Sequence, residues 1–465
     1  MHTHLSDNGL DQEDIMDMVF LRLDSIGVLN VDENGYPTYF QWAHLLPPNP
    51  KNELYLVNER VQWDKVEVDF EAHVNSLEDE FRKSEEGFSS SSQNRVILIS
   101  VGTAPKEVQI RELKELESLA TTAGLKVMDF VVQRVSKINP NFILGKGKLA
   151  ELEVIALQNN ASILIFNREL TPTQMRNLAD ITERKILDRT QLILDIFAQH
   201  AKTKAGKLQV ELAQLEYMLP RLSKKNKALS RLAGGIGGRG PGETKLELDK
   251  RKIKERKSKI KKELLKLRKH RDLARKRRKR KDLFVVSLVG YTNAGKSTLL
   301  NTLTNSNVYT ANKLFATLDP TSRQLFLEPN YKVILTDTVG FIKSLPESLK
   351  EAFMATLEEL YEADVLIHVA DASHPELEEQ ITSVENILKE LNLNEIPTIL
   401  ALNKWDLVDD ERRSILKNLY PSAISIVAID RSTLEPLKKE IKRHLPLNWK
   451  GKDLISFEED VVYEF

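Results

Sequence analysis

Residues 290–297 read Gly-Tyr-Thr-Asn-Ala-Gly-Lys-Ser, the spacing G-x-x-x-x-G-K-S, and no other stretch restricts the fold of this chain so tightly. An apolar, β-branched run at 283–289 precedes it, and Thr298-Leu299-Leu300-Asn301-Thr302-Leu303 continues it as a helix. Strand, glycine loop and helix N-terminus in that order predict a phosphate-binding loop in a doubly wound parallel α/β sheet. Gly290, Tyr291, Thr292, Asn293, Ala294 and Gly295 would curl backbone N–H groups around an anion, and the helix dipole adds positive potential there. Lys296 would reach the β- and γ-phosphates, and the Ser297 hydroxyl would ligate Mg²⁺.

Further motifs predict which nucleotide is held. Tyr331 to Thr336 is a strand that ends in Asp337-Thr338-Val339-Gly340. An acid at a strand end suits a water-mediated Mg²⁺ contact, and Gly340 suits a backbone N–H facing the γ-phosphate. Downstream, Pro397 to Leu402 is a buried strand that delivers Asn403-Lys404-Trp405-Asp406. A carboxylate can accept from both N1–H and N2–H₂ of guanine, a donor pair that adenine lacks, so Asp406 selects guanine. The Lys404 stem would lie against the base while Asn403 braces the loop. The prediction is a GTP site.

Two segments would complete it. Phe315-Ala316-Thr317-Leu318-Asp319-Pro320-Thr321 has the position of a first switch, with Thr317 as the hydroxyl that joins Mg²⁺ and Thr321 as its competitor. Val427-Ala428-Ile429 follows the sixth strand, where a backbone N–H usually meets guanine, although serine and glycine are absent there. Lys296, Thr317 and Gly340 are then the groups expected around the transferred phosphate. After D-x-x-G, where many GTPases carry a water-orienting glutamine, this chain has Phe341. Intrinsic hydrolysis should therefore be slow, and completed by K⁺, backbone groups or a partner. Asn293 is a candidate K⁺ ligand.

At 465 residues the chain is long enough for about three domains. It has no cysteine, which excludes disulfides, iron–sulfur clusters and thiolate zinc sites and fits a reducing cytoplasm. No apolar run approaches the roughly 20 residues needed to span a bilayer, and no signal-peptide core is visible. The expectation is a cytoplasmic monomer, with peripheral membrane contact left open. Formal net charge is zero, yet the charge is partitioned. Residues 1–95 carry 19 acidic against 7 basic side chains, whereas 20 of the 32 residues from Lys250 to Lys281 are Lys or Arg. Such a one-sided basic block points to RNA or another polyanion.

The pattern divides the chain into an acidic module of unknown fold at 1–85 and a Ser-rich linker at 86–94. An α/β domain at 95–200, a helical hairpin at 201–282, a GTPase domain at 283–446 and a short acidic tail at 447–465 follow. In the first module, Met18 to Leu23 and Glu53 to Val57 look extended and Val68 to Lys83 helical. From Arg95, strands and helices alternate as βαβ units of a small parallel sheet. Leu144-Gly145-Lys146-Gly147-Lys148 enters a helix there, as a capping loop or an anion site. Leu208, Leu212, Leu215, Leu219 and Leu222 form one heptad seam, and Leu246, Ile253, Ile260, Leu264 and Leu267 a second. Between them lies the glycine-rich run 234–244, so the two helices should fold back as an antiparallel hairpin with a thin tip.

This combination resembles the HflX family, translation-factor-class GTPases that bind the large ribosomal subunit. The resemblance covers roughly residues 95–445 and rests on 116–125 (L-E-S-L-A-T-T-A-G-L), 143–148, 234–247 and 315–321, the glycine-rich run being the most specific. It implies ribosome-stimulated GTP hydrolysis and splitting of stalled or idle ribosomes. It also implies that the tip residues Gly237, Arg239, Gly240 and Gly242 meet rRNA near the peptidyl-transferase centre. The acidic first module departs from shorter members, and a C-terminal domain found in some members is essentially missing. Two other functions stay open: a ribosome-assembly GTPase acting on rRNA in immature particles, and a scaffold in which nucleotide is only structural.

Overall fold

The computed structural model describes residues 2–4, 9–21, 23–47, 55–86, 94–222, 245–279, 284–305, 315, 321–328, 331–342, 349 and 357–446. The chain divides into two compact units, 1–192 and 193–465.

The first unit opens with strand β1 (His2–His4), helix α1 (Gln12–Phe20) and strands β2 (Ser25–Val31), β3 (Pro37–Leu45), β4 (Tyr55–Val57) and β5 (Val61–Gln62), followed by α2 (Phe70–Glu86). The sheet runs β1-β2-β3-β4, with β5 also paired to β3. The extended reading of Met18 to Leu23 is corrected here, because Met18 to Phe20 close α1. Asp11 and Asp14 cap each other's backbone N–H at 2.8 and 2.9 Å, starting the helix. Met18 is then buried with Ile26, Ala43 and Leu45, and Ile15 packs on the same cluster. Helical spacing of these apolar groups outweighs the β-propensity of a short run.

The second sheet of this unit alternates strand and helix: β6 (Arg95–Gly102), α3 (Lys106–Thr122), β7 (Lys126–Arg134), α4 (Lys146–Gln158), β8 (Ile163–Phe166), α5 (Pro172–Ala179) and β9 (Lys185–Asp188). Its order is β7-β6-β8-β9 and every pairing is parallel. The apolar side chains of β6 are buried, as expected of a strand covered on both faces. Ala150 and Val154 of α4 join the cluster around Met18. At the Gly145 entrance to α4 no side chain caps the helix. The unit boundary falls within α6 (Arg189–His200).

The second unit continues through α7 (Lys204–Arg221) and the 35-residue α8 (Lys245–Lys279). These two helices pack along each other, and Ile260 of the second predicted seam is fully buried. Glu211 pairs with Arg256 at 2.6 Å, and Glu216 with Lys257 at 3.1 Å and Lys261 at 3.2 Å. The glycine-rich run, including Gly237, Arg239, Gly240 and Gly242, lies outside the described residues.

The last sheet and its helices follow as β10 (Val285–Val289), α9 (Lys296–Thr304), β11 (Thr321–Glu328), β12 (Tyr331–Asp337), β13 (Val365–Asp371), α10 (Leu377–Glu390), β14 (Thr398–Asn403), α11 (Asp410–Leu419), β15 (Ile424–Ser425) and α12 (Glu435–Arg443). Strand order is β11-β12-β10-β13-β14-β15, parallel except for the antiparallel edge strand β11. Val286, Leu288, Ile367, Val369, Ala401 and Leu437 lie in its core. Such a sheet gathers the loops at its strand C-termini, where ligands of this fold bind. No helix among the described residues is long and apolar enough to cross a membrane.

Candidate functional site

The loop between β10 and α9 is shaped by backbone conformations that only some residues adopt. Gly290 has φ +149° and a Cβ there would collide with the Val369 carbonyl. Gly295 has φ +96°, and a Cβ would run into the Asn403 side chain. Asn293 also sits in the left-handed region at φ +63°, exposed. Lys296, the first residue of α9, is buried and donates from Nζ to the carbonyls of Gly290 at 3.0 Å and Tyr291 at 2.9 Å. Burial pulls its pKa down to about 8, against the opposing influence of the Asp337 carboxylate. A polyphosphate in the loop would hold the ammonium charged.

The D-x-x-G segment is stitched to this loop. Phe341 N donates to Gly290 O at 3.0 Å and Thr292 N to Phe341 O at 2.8 Å, giving a parallel bridge between Tyr291 and Phe341. Thr338 Oγ1 donates to Leu288 O at 2.6 Å. A Cβ on Gly340 would stand 2.8 Å from Thr292 Cα and 2.9 Å from Lys296 Nζ, so the glycine permits this close approach. Val339 and Phe341 are fully buried. Ser297 Oγ donates to Asp337 Oδ2 at 2.5 Å. Two hard oxygens therefore meet at the loop, the donor chemistry that Mg²⁺ takes.

Asn403 joins the N-K-x-D turn to the glycine loop and to the last loop. Its Nδ2 donates to Ala294 O at 2.7 Å, and its Oδ1 accepts from Ala428 N at 2.8 Å. Lys404 has φ +58°, and its Nζ pairs with Asp371 Oδ2 at 2.6 Å. Trp405 and Asp406 occupy a 3₁₀ turn, Trp405–Leu407, with Asp406 exposed and Trp405 half-buried. In the last loop the Thr433 hydroxyl lies 3.0 Å from Val427 N, Ala428 is buried, and Ile429 is 75% exposed.

Of the segment 315–321 expected to be a first switch, Phe315 and Thr321 are described. Phe315 is buried at φ +55°, edge-on to Phe197 with ring centroids 4.9 Å apart. Ala316, Thr317, Leu318 and Asp319 lie outside the described residues. The competitor Thr321 begins β11 in register with Asp337.

Sequence reasoning did not single out three residues that build this site. Asp371 could have been suspected as an acid at a strand end; Thr433 carries no such signal. His368, in register with Val289 beside the loop, is buried, and burial, reinforced by Lys296, pushes its pKa down to about 4, so it is neutral at pH 7.

A glycine loop against a helix N-terminus, with an acid, a serine and a lysine converging on it, defines a P-loop GTPase. Family models agree along the chain: "GTP-binding GTPase N-terminal" at 111–198, "GTP-binding GTPase Middle Region" at 200–278 and "50S ribosome-binding GTPase" at 285–404. The GTPase HflX of Caldanaerobacter subterraneus subsp. tengcongensis is 48% identical over 365 residues, covering 78% of this chain and 83% of that one. The GTPase HflX of Escherichia coli K12 is 44% identical over 305 residues, covering 66% and 72%. The chain belongs to the HflX family and hydrolyses GTP. Among solved structures, a GTP-binding protein of the archaeon Sulfolobus solfataricus in complex with GDP is similar at 27% identity and a TM-score of 0.41, over 75% of this chain and 98% of that one.

Proposed function

We propose that this GTPase binds the large ribosomal subunit and uses GTP binding and hydrolysis to split or rescue stalled or idle ribosomes. The observation that carries the reading is α8. Over 35 residues, or about 50 Å, it turns Arg251, Lys252, Lys254, Lys259, Lys262 and Lys266 to solvent. A rod of that length and charge matches an RNA surface far better than a protein core. The family description of the G domain as ribosome-binding supports the same partner. Such a substrate puts its action in the cytoplasm.

In this reading the loop 290–297 cradles the phosphates, with Lys296 neutralising the β- and γ-oxygens. Ser297 and, on switching, Thr317 would hold Mg²⁺, which would polarise the phosphate oxygens. Gly340 offers its N–H to the γ-phosphate. Asp406 reads guanine, with Lys404 held in place by Asp371 and the Ala428 N–H held by Asn403. Phe341 faces the interior and brings no polar group to the attacking water, so the ribosome completes the site; Asn293 is the candidate K⁺ ligand. The tip residues Gly237, Arg239, Gly240 and Gly242 would occupy an rRNA cavity.

Co-sedimentation and light-scattering dissociation of ribosomes, side by side, test this. Replacing several cations of Arg275 to Lys281 should weaken ribosome binding and flatten its salt dependence. Replacing 237–242 by a short Ser linker should let binding persist while subunit splitting falls. A tip variant that splits ribosomes normally would sink the splitting mechanism, and binding of immature particles alone would turn the reading toward ribosome assembly.

A further inference from the structure

The sheet of the N-terminal module ends in an open edge beside a half-covered aromatic face. β4 and β5 both pair with β3, at 43–45 and at 39–40, and between them Asn58 N donates to Trp42 O at 2.9 Å. The stretch 55–62 is therefore one bulged edge, and no strand among the described residues pairs with its outer side. Edge strands are commonly blunted by charge or proline, yet β4 reads Tyr-Leu-Val. Residues paired across strands share a face of the sheet, which puts Leu56 with His44 and Val61 with Phe40. α2 packs on that same face. The ring of Phe70 lies 6.1 Å from Phe40 and 5.6 Å from Trp42, and His73 lies 4.6 Å from His44, centroid to centroid. Trp63 joins the group edge-on to Phe40 at 6.3 Å. The helix does not close over it: Trp63 is 42% exposed and Phe70 37%, and Leu56 and Val61 are exposed too. Exposed carboxylates border the rings along the chain. Asp64 follows Trp63, and Asp69 and Glu71 flank Phe70, with Glu67 between and Lys65 the one cation in 63–71.

These features fit one ligand class. An extended segment lying along 55–62 would take up the free backbone groups of the edge and turn every second side chain to the face of Leu56, Val61 and Trp63. Cationic side chains there would meet the carboxylates, and an arginine would also stack on an indole or phenyl face. RNA and anionic lipid are repelled by the same carboxylates. Lys- and Arg-rich arms of this kind belong to proteins that themselves bind nucleic acid.

We propose that the edge 55–62 of the N-terminal module, with the exposed ring of Trp63 beside it, docks a Lys/Arg-rich extended segment of a partner protein by strand addition. The surface stands on this module's own contacts, so it can fail while the ribosome reading holds.

The test uses the full chain and a fluorescent nine-residue peptide that alternates Lys or Arg with Val. Anisotropy gives the affinity, and hydrogen exchange gives the location: the peptide should protect amides in 55–62. Methylating the peptide's backbone nitrogens on the pairing side should abolish that protection. Trp63→Ala should weaken binding about thirtyfold, as loss of a tryptophan anchor does. Because Trp63 also packs on Phe40, faster exchange in 39–45 would show that this variant disturbs the sheet. The exposed pair Asp64→Lys, Glu67→Lys then carries the test, and should weaken binding about tenfold and flatten its salt dependence. Unchanged binding by that pair would overturn the proposal, as would equal affinity for the peptide with Glu in place of every cation. Amides of 55–62 already protected in the free, dilute chain would show an edge covered by the chain itself, and equally overturn it. Protection that grows with protein concentration alone would assign the edge to a second copy of the chain instead.

Discussion

Asn403→Ala should disconnect the two halves of the nucleotide site. The side chain is 2% exposed and spans the Ala294 carbonyl at 2.7 Å and the Ala428 N–H at 2.8 Å. Alanine leaves both backbone groups without that partner in a dry interior. Each unsatisfied group costs about 1–3 kcal/mol, so the loss is about 2–6 kcal/mol, larger than the net worth of two ordinary hydrogen bonds. Because Ala428 follows the last strand and Ala294 belongs to the phosphate loop, the cost falls on the nucleotide-ready arrangement. A loss of 2.8 kcal/mol corresponds to about a hundredfold weaker GDP binding. Two measurements bear on this: fluorescent GDP titration, and hydrogen exchange at the Ala428 amide, which should lose protection selectively. Asn403→Asp should fare little better, since it keeps the acceptor for Ala428 but sets a carboxylate oxygen against the Ala294 carbonyl. Unchanged GDP affinity together with unchanged Ala428 exchange in the alanine variant would refute the reasoning.

His368 should make the G domain acid-sensitive. Its folded pKa is about 4 against an ordinary 6.5, so between those values the unfolded chain binds more protons and stability falls as pH drops through that window. The full effect is about 3 kcal/mol, and His368→Gln should flatten the pH slope of urea stability between 6.5 and 4; an unaltered slope would assign the acid sensitivity elsewhere. Asp406→Asn should lose guanine preference, at about 2–4 kcal/mol for a charged hydrogen-bonded contact, and a xanthine nucleotide should bind the variant better than GDP does. Equal GDP affinity in parent and variant would remove Asp406 from the site.

The phosphate loop, the D-x-x-G turn and the N-K-x-D turn were legible in the sequence because each is a contiguous run whose backbone must take one shape. The glycines at Gly290 and Gly295 and the lysine at the start of α9 follow from spacing alone. The parallel sheet at 95–188 was legible for a related reason: apolar runs such as Val96 to Ile99 alternate with amphipathic helices. Short segments near the N-terminus were not, since Met18 to Leu23 can serve either strand or helix until Asp11, Asp14 and the cluster around Ala43 decide. What joins the motifs came only from tertiary structure. Asn403 contacts residues 109 and 25 positions away, and Lys404 finds Asp371 33 positions away. Those separations are closed by strand crossovers, and no local pattern encodes which carboxylate or carbonyl will face which amide once the sheet is assembled. Phe341 shows the division most directly: its identity announced a missing water-orienting group, but only the fold revealed its backbone pairing with Gly290 and Thr292 and its ring turned into the core.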